Sequence, residues 1–563
     1  MAITEARPEA AVPGAHGVSP RRHPIVQWLT TTDHKKIGIM YLVNSYFWFA
    51  VAGLLAVFIR VELAQPGTQY FGEQRYNELF TMHGTTMIFL FIIPILAGFG
   101  NYIVPLQIGA LDMAFPRVNA LSFWMLPLAG IVLYSSYALG GPADAGWTQY
   151  APLSEGIGSQ GNSIGTDLWI VALLLVGASS ILGSVNFITT IFNMRAPGMT
   201  MFRMPIFTWT VLVTQLLVLL ATPVITSALA MLFIDRNLGG SFFDPAKGGI
   251  AVLWQNVFWF YSHPAVYVMV LPGMGIVSDV LPVFSRKPLF GYKAFVFATV
   301  GIGALGFSVW AHHMFVTGQV LLPFFSIMTF LIAVPTGVKF FNWISTLVRG
   351  KLSFPPAMLF AIGFLTMFLI GGVDGVFLAS PPVDFALTET YWVVAHIHYV
   401  LFGGSVFAVY AGFYYWFPKF SGKKLNDGLG KLHFWLQFIG FNLTFFPMHV
   451  LGLLGMPRRI QDYAALPNWV GINQLQTIGA LILALSTAPF LANVVLTMRR
   501  RDRDPEDPWE GNSLEWYTSS PPPAHNFDSL PEIHSERPLF DLRHAEEDVP
   551  VHADTPTTGT GAR

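Results

Sequence analysis

The sequence predicts an all-α integral membrane protein built as a bundle of twelve transmembrane helices. Of its 563 residues, 53% are hydrophobic and only 11% are charged. The mean hydropathy is +0.53, which is too apolar for a soluble globular protein. The apolar residues are also grouped into runs of roughly 20 residues or more, and each run is long enough to cross a bilayer as a helix.

Twelve such runs can be placed in order along the chain. Because their number is even, both termini are expected on the same side of the membrane. The runs cover residues 38–60, 79–106, 119–140, 166–192, 206–234, 250–283, 290–315, 321–345, 354–378, 389–416, 431–455 and 470–498.

Basic residues give the predicted orientation. With a cytoplasmic N-terminus, the inner loops and helix ends carry roughly 20 Lys and Arg residues, and the outer loops carry about six. This bias predicts that both termini are cytoplasmic. The net charge of −1 gives no indication of a nucleic-acid partner.

The chain divides into three predicted parts. Residues 1–36 form a cytoplasmic lead-in without the apolar core of a signal peptide. Residues 37–498 form the membrane domain. Residues 499–563 are polar, with PPP at 521–523 and EED at 546–548, and this composition predicts a loosely ordered cytoplasmic tail.

Two histidines one residue apart, His396 and His398, lie in the apolar stretch TYWVVAHIHYVLFGG. On a helix they point about 200° apart around the axis, so they cannot bind one metal ion together. Two separate centres are therefore indicated, each with one axial imidazole, and iron porphyrin is a group that accepts such a ligand. The alternative is that both are buried histidines that only form hydrogen bonds.

The segment YSHPAVY carries a second signal. His263 and Tyr267 are four residues apart, on one helical face, and Pro264 between them loosens the local backbone. The adjacent His312 and His313 could complete a three-imidazole site, which suits copper. A polar helix end is the alternative reading of the adjacent pair. His83 falls at a similar membrane depth, where an unpartnered ionisable group is costly.

The chain contains no cysteine. Disulfides, thiolate-bound clusters, CxxCH heme attachment and a thiolate-bridged copper site are therefore excluded within this chain. Electrons for any redox centre must come from another protein.

Eight motifs together resemble subunit I of the heme–copper oxidases, specifically of cytochrome c oxidases, over about residues 24–525. They are TTDHKKIG, FTMHG, PLQIGALDMAFPR, HPAVY, WAHHMF, PTGVKFFNW, VVAHIHYV and FFPMHVLGLLGMPRR. The resemblance implies a low-spin heme, an oxygen-reducing heme and a copper ion, with heme A as the expected heme type. Tyr267 matches the tyrosine that family members crosslink to a copper-binding histidine.

The resemblance also assigns ligands and proton routes. His83 and His398 correspond to the low-spin heme ligands, and His396 to the ligand of the oxygen-reducing heme. His263, His312 and His313 correspond to the copper ligands. Arg60 resembles the partner of a heme formyl group, and Arg458 and Arg459 resemble a propionate-binding pair. One expected proton route contains Asp112, Asn101, Asn119 and Asn186, and a second contains Lys339, Thr336 and Ser278.

The sequence departs from the common family pattern at two places. Ala265 stands where many members have glutamate, and Tyr261 with Ser262 resembles a bacterial subclass in which Tyr-Ser replaces that carboxylate. Thr388 and Glu389 stand where histidine and aspartate ordinarily help bind magnesium or manganese, so only Glu389 remains as a candidate ligand. Glu62 also resembles a ligand of an outer calcium or sodium site.

These features predict the catalytic subunit of a terminal oxidase in a bacterial cell membrane, which reduces O2 and translocates protons. The expected partners are a subunit II with the electron-accepting copper site, a subunit III, and cytochrome c as donor. A quinol-oxidising enzyme is the alternative, and a metal-free proton-coupled transporter is a third reading. Nitric oxide reductases generally lack the residues found here at Tyr267, Lys339 and Asp112.

Overall fold

The structure is a computed structural model that describes residues 23–156 and 164–545. Among these residues, twelve helices are long and apolar enough to cross a membrane, as predicted, and only two isolated β-bridges occur. In chain order the helices are α1 His34–Glu62, α2 Glu73–Ile108, α3 Pro116–Ala138, α4 Ile164–Asn193, α5 Ile206–Asn237, α6 Ala251–Ser285, α7 Tyr292–Thr317, α8 Leu322–Leu347, α9 Pro356–Leu378, α10 Tyr391–Ser421, α11 Asp427–Leu453 and α12 Pro467–Arg499.

Several helices continue beyond the apolar runs. The 36 residues of α2 make a helix about 54 Å long, whereas the hydrocarbon core of a bilayer is about 30 Å thick. Hydropathy marks the part in lipid, but backbone hydrogen bonding continues through polar turns. At the start of α1, the Asp33 side chain accepts a hydrogen bond of 2.9 Å from the Lys35 backbone N–H, which caps the helix at His34.

Helices α2 and α6 form the centre of the bundle. In each, 83% of the most apolar window is buried, against 22% in α8 and 28% in α12. Large apolar side chains on the peripheral helices face outward, including Phe341, which is 73% exposed. Lipid can cover such a surface. Because α2 and α6 are the most buried helices, functional side chains on them lie deep inside the protein.

Residues 505–541 pack against the end of the bundle that carries the start of α1 and the end of α12, called here the terminal side. The Trp516 indole N–H donates to the Tyr415 hydroxyl at 2.8 Å, and Lys419 Nζ donates to the Thr518 carbonyl at 2.7 Å. Trp516 is 4% exposed. The prediction of a loosely ordered tail is therefore wrong for this segment, because Trp509, Trp516 and Phe527 are buried when it packs against the bundle.

The predicted lead-in up to residue 22 and the acidic EED at 546–548 lie outside the described residues. Within the described part of the lead-in, Pro24–Leu29 forms a short helix ahead of α1.

Candidate metal centres

His263 of α6 and His312 and His313 near the end of α7 form a compact three-imidazole group. One nitrogen atom of each ring lies within 4.8 Å of the others, and His263 Nδ1 is 3.2 Å from His313 Nε2. His263 Nε2 is buried and has no hydrogen-bond partner among the described residues. Three converging imidazoles, one with an unsatisfied nitrogen, fit a copper ion.

Neighbouring side chains fix two of these rings. His312 Nδ1 is 2.9 Å from Thr329 Oγ1, whose own hydrogen is donated to the Phe325 carbonyl. The threonine oxygen therefore accepts from Nδ1–H, which leaves the His312 Nε2 lone pair available to a metal. The Trp259 ring stacks on His313 with centroids 3.8 Å apart. Sequence reasoning did not find Thr329 or Trp259, because both contacts depend on tertiary packing.

Tyr267 lies beside the three-imidazole group on α6. Its ring centroid is 4.8 Å from that of His263, at an interplanar angle of 63°. A Cβ atom at Gly306 would come 3.1 Å from Tyr267 Cδ2, so the glycine leaves room for the phenol ring. The phenol is therefore held near the imidazoles, as the four-residue spacing predicts.

His83 of α2 and His398 of α10 face each other with their rings parallel within 11° and their centroids 6.4 Å apart. His83 Nδ1 is 2.9 Å from the Ala52 carbonyl, and His398 Nδ1 is 2.7 Å from the Val394 carbonyl. Each Nδ1 therefore carries the hydrogen, and the lone pair of each Nε2 is available to a metal ion. Two imidazoles bound to one metal at about 2 Å each would have centroids roughly 6 Å apart. The gap thus fits a bis-histidine heme iron.

His396 contacts a different helix from His398, as the HxH spacing predicts. Its Nδ1 is 3.1 Å from the Gly371 carbonyl of α9. A Cβ atom at Gly375 would lie 2.8 Å from His396 Cε1, so α9 passes directly beside this ring. The two histidines therefore serve two separate positions in the bundle.

Helix α2 continues after His83 into a π-helical segment at Thr86–Ile92, and α10 does so after His398 at Leu401–Val406. Such segments widen a helix locally and are frequent at functional sites. Neither segment was predicted, because π geometry has no clear residue pattern.

Three arginines are expected from the sequence to bind heme substituents, and the structure gives the partners of each. Arg60 Nη2 donates to the Asn473 carbonyl at 3.1 Å and to Asn473 Oδ1 at 2.9 Å, whereas its buried Nε and Nη1 have no partner in the described chain. Arg458 pairs with Glu389 at 3.1 Å. Burial and the adjacent Arg458 charge lower the pKa of Arg459 to about 10. No described carboxylate lies within ion-pair distance of Arg459, so it is suited to an anionic ligand.

The two carboxylates considered for outer cations have protein partners. Both Glu389 oxygens accept from Arg458, at 3.1 and 3.2 Å. Both Glu62 oxygens accept two N–H bonds each, from the backbone of residues 69, 70 and 71 and from Gln461. At Glu62 this geometry favours anchoring of the loop over cation binding, because both lone pairs of each oxygen are used. Each Glu389 oxygen keeps one lone pair, and its partner is a cation already.

The residues of the first expected proton route form two groups. Asp112, in the loop between α2 and α3, has a pKa raised by burial, and Asn186 exchanges two hydrogen bonds with the Phe115 backbone. Deeper in the bundle, Asn101 Oδ1 and Asn119 Nδ2 are buried without a partner in the described residues. Unsatisfied groups of this kind are sites where ordered water is expected.

A cavity of about 50 Å³ continues from Asn101 towards α6. Its lining includes the hydroxyls of Tyr41, Ser122 and Ser179, and it reaches Val268. The Tyr41 and Ser122 hydroxyls are 3.0 Å apart. Sequence reasoning did not select these hydroxyls, although polar residues within apolar runs could have indicated them.

Lys339 of α8 is fully buried. Its Nζ donates to Thr299 Oγ1 at 3.1 Å, and it also lies 5.9 Å from the Trp343 ring centroid. Ser278 accepts a hydrogen bond of 3.0 Å from the Trp343 indole, whereas the Thr336 hydroxyl bonds within its own helix. The Lys339 amine is therefore enclosed by the protein, and Thr299 is a partner that the sequence did not reveal.

Tyr261 and Ser262 lie on α6 next to His263. The Tyr261 hydroxyl has no hydrogen-bond partner among the described residues, and the Ser262 hydroxyl is buried and likewise unpartnered there. Both hydroxyls thus remain available to water or a cofactor.

A family model described as cytochrome c and quinol oxidase polypeptide I matches residues 36–482. The chain belongs to this family. Oxidases of this family contain hemes and a copper centre, and the histidine groups above fit both. As a member, the chain is a multi-pass bacterial membrane protein.

Individual relatives extend this family assignment to almost the whole chain. A Streptomyces coelicolor relative is 56% identical over 543 residues and covers 94% of each chain. A Corynebacterium efficiens protein named cytochrome c oxidase subunit 1 is 53% identical over 522 residues, covering 92% of this chain and 90% of its own. A solved heme–copper terminal oxidase dimer, at 19% identity, has the same fold, with a TM-score of 0.69 over 88% of each chain.

Proposed function

We propose that this chain is the catalytic subunit of a respiratory cytochrome c oxidase that reduces O2 to water and translocates protons. The observation that carries the proposal is the three-imidazole group with its ligand atoms within 4.8 Å and the Tyr267 phenol beside it. The named relatives among the corynebacteria are cytochrome c oxidase subunits, which supports cytochrome c rather than quinol as the donor.

Each group of residues has a distinct part in this function. Two hemes, proposed to be heme A, and one copper ion would supply the electron relay and the oxygen-binding centre. His83 and His398 hold one heme, His396 holds the other, and the three-imidazole group binds copper. Tyr267 can donate a proton and an electron from its phenol oxygen.

The arginines are proposed to neutralise and orient the hemes. Arg459, which has no carboxylate partner in the described chain, would bind a propionate together with Arg458. Arg60 would use its two unpartnered nitrogen atoms to bind a formyl group.

Protons are proposed to enter from the terminal side, which the positive-inside bias assigns to the cytoplasm. The route from Asp112 would pass the three asparagines and the hydroxyl-lined cavity, and Tyr261 with Ser262 would replace the missing carboxylate. The route through Ser278, Thr336 and Lys339 would deliver protons to Tyr267. The histidines of the proposed metal centres lie in the half of the bundle opposite the terminal side. Each turnover would therefore separate charge across the membrane.

The chain contains no cysteine and cannot form a thiolate-bridged copper site itself, so other subunits are required. The copper site that accepts electrons from cytochrome c must lie on a subunit II, and a subunit III is also proposed. The purified chain without partners should therefore fail to oxidise cytochrome c, and rapid oxidation by the chain alone would contradict this part of the proposal.

Metal analysis and pyridine-hemochrome spectra of the purified enzyme test the proposed cofactors. We expect two hemes and one copper per chain. His312→Asn should lose copper and retain both hemes, because His312 belongs only to the three-imidazole group. A single heme, or a wild-type protein without copper, would contradict the proposed function.

A further inference from the structure

Asp374, near the end of α9, is a buried carboxylate for which the function above has no use. It is 4% exposed and belongs to a membrane-spanning helix, where an acidic side chain is costly and usually functional. Its Oδ2 atom is 3.4 Å from His396 Nδ1 and 3.1 Å from His449 Nε2. The carboxylate therefore lies between two imidazoles, one of which is the proposed ligand of the oxygen-reducing heme.

Two glycines allow α9 to approach α10 this closely. A Cβ atom at Gly371 would lie 2.8 Å from Val400 Cγ1, and one at Gly375 would lie 2.8 Å from His396 Cε1. The Gly371 carbonyl is itself 3.1 Å from His396 Nδ1. The Nδ1 hydrogen of His396 thus faces two acceptors on α9, a backbone carbonyl and a carboxylate oxygen.

His449 of α11 holds the carboxylate from the other side. Its Nε2–H group donates to Asp374 Oδ2 at 3.1 Å, and its ring packs edge-on against Trp392, with centroids 4.9 Å apart. Because Trp392 holds this ring in place, its Nε2 fixes Asp374 Oδ2 in turn. The second oxygen, Oδ1, has no partner among the described residues, so both contacts are made through the oxygen that points at His396.

We propose that Asp374 is a positioning residue that shares the Nδ1 hydrogen of His396 with the Gly371 carbonyl, is oriented by His449, and makes His396 a more strongly donating ligand to heme iron. This inference rests on the proposed function, because it requires a heme at His396. A hydrogen bond to a carboxylate is stronger than one to a neutral carbonyl. Such a partner raises the basicity of a ligating imidazole and orients its ring, and hydrogen bonding of this kind is one of the means by which a protein sets the potential of heme iron.

The test is made on the assembled oxidase with Asp374→Asn. Asparagine has nearly the same volume and retains an acceptor oxygen, but it carries no charge. Resonance Raman spectra of the reduced enzyme should show a lower iron–histidine stretching frequency, and redox titration should show a higher potential for the oxygen-reducing heme. His449→Phe should shift both quantities in the same direction by less, since the carboxylate remains but loses its anchor.

Thr366→Val on α9 is the matched control. The Thr366 side chain is exposed and its hydroxyl bonds only within its own helix, to Ile362. This variant should leave the iron–histidine frequency unchanged.

The outcomes separate the two proposals. An unchanged frequency in Asp374→Asn with both hemes present would overturn the inference and leave the Gly371 carbonyl as the sole partner. If that variant failed to assemble, His449→Phe would decide, with a shifted frequency supporting the inference and an unchanged one overturning it. A wild-type enzyme without a histidine-ligated high-spin heme would overturn the proposed function instead.

Discussion

The Tyr261 hydroxyl lies on α6 next to His263, and it has no hydrogen-bond partner among the described residues. It is one helical turn from Ala265, so the two positions share a face of α6. If the hydroxyl passes protons from the Asp112 route, Tyr261→Phe should slow proton-coupled steps, because only the hydrogen-bonding oxygen is lost. Oxygen consumption and proton release in vesicles measure the effect, and both heme spectra should remain intact.

Two further variants make the Tyr261 result interpretable. Tyr261→Phe combined with Ala265→Glu should recover part of the lost rate, since the carboxylate returns to the same face. Tyr70→Phe alters a tyrosine that is 71% exposed and should change nothing. An unaltered rate and proton yield in Tyr261→Phe would leave this residue a packing role only.

Lys339 provides a second test at the level of single residues. Lys339→Met keeps a long apolar side chain but removes the amine that donates to Thr299, so proton delivery towards Tyr267 should slow by about tenfold or more. Stopped-flow reduction of the oxygen-reducing heme measures this rate. Lys431→Met, on the exposed surface of α11, is the control. Normal reduction kinetics in Lys339→Met would exclude the proposed second proton route.

The histidine clusters could be predicted from residue spacing, but their supporting residues could not. The HxH spacing and the four-residue spacing of His263 and Tyr267 follow from helical periodicity alone. Thr329 and Thr299 come from other helices, and their contacts depend on how the helices pack. The contact between His449 and Asp374 could not be predicted for the same reason, since the two residues are 75 positions apart in sequence.

At the level of helices, α11 and α12 pack through small residues. A Cβ atom at Gly479 would lie 2.7 Å from the Thr444 backbone N, and one at Gly440 would lie 2.6 Å from the Leu483 backbone N. Gly479→Ala should therefore force the two backbones apart and cost about 1–3 kcal/mol. A lower midpoint of thermal denaturation in detergent is the expected result.

Gly471, on the same helix, is a matched control. A Cβ atom there would meet nothing within 4 Å, so Gly471→Ala should leave the midpoint unchanged or raise it, because alanine is the better helix former. Equal effects at Gly471 and Gly479 would show that helix propensity, not close packing, governs this interface.

The number of helices could be predicted because hydropathy reports burial in lipid directly. Their ends could not be placed as well, since α2 begins at Glu73 and α10 ends at Ser421, beyond the apolar runs. The π-helical segment after His83 also escaped prediction, because it arises from local backbone fit.

At the scale of the whole molecule, the segment from 505 to 541 couples pH to stability. Burial raises the pKa of Glu515, whereas its value in the unfolded chain is about 4.3. The folded state therefore favours the protonated carboxyl, and this contribution to stability is present below about pH 4 and is lost as pH rises through the folded-state pKa. Glu515→Gln should remove this loss.

Thermal midpoints measured from pH 5 to 9 test this expectation. The thermal midpoint of Glu515→Gln, compared with that of wild type, should rise as pH rises. Any loss of stability caused by the amide itself would be the same at every pH and would not change this trend. Glu532→Gln, at a side chain that is 89% exposed, should follow wild type. Parallel curves for Glu515→Gln and wild type would show that Glu515 does not titrate with folding.

The contact between His34 and Asn526 has a consequence for the order of assembly. The Asn526 Nδ2–H group donates to His34 Nε2 at 2.9 Å, and the two residues are 492 positions apart. Asn526 also donates to the Ala110 carbonyl at 2.8 Å. Translation proceeds from the N-terminus, so the first and second helices remain without this partner until residue 526 has been synthesised. The terminal side is thus closed by a segment that is synthesised only after all twelve membrane-spanning helices.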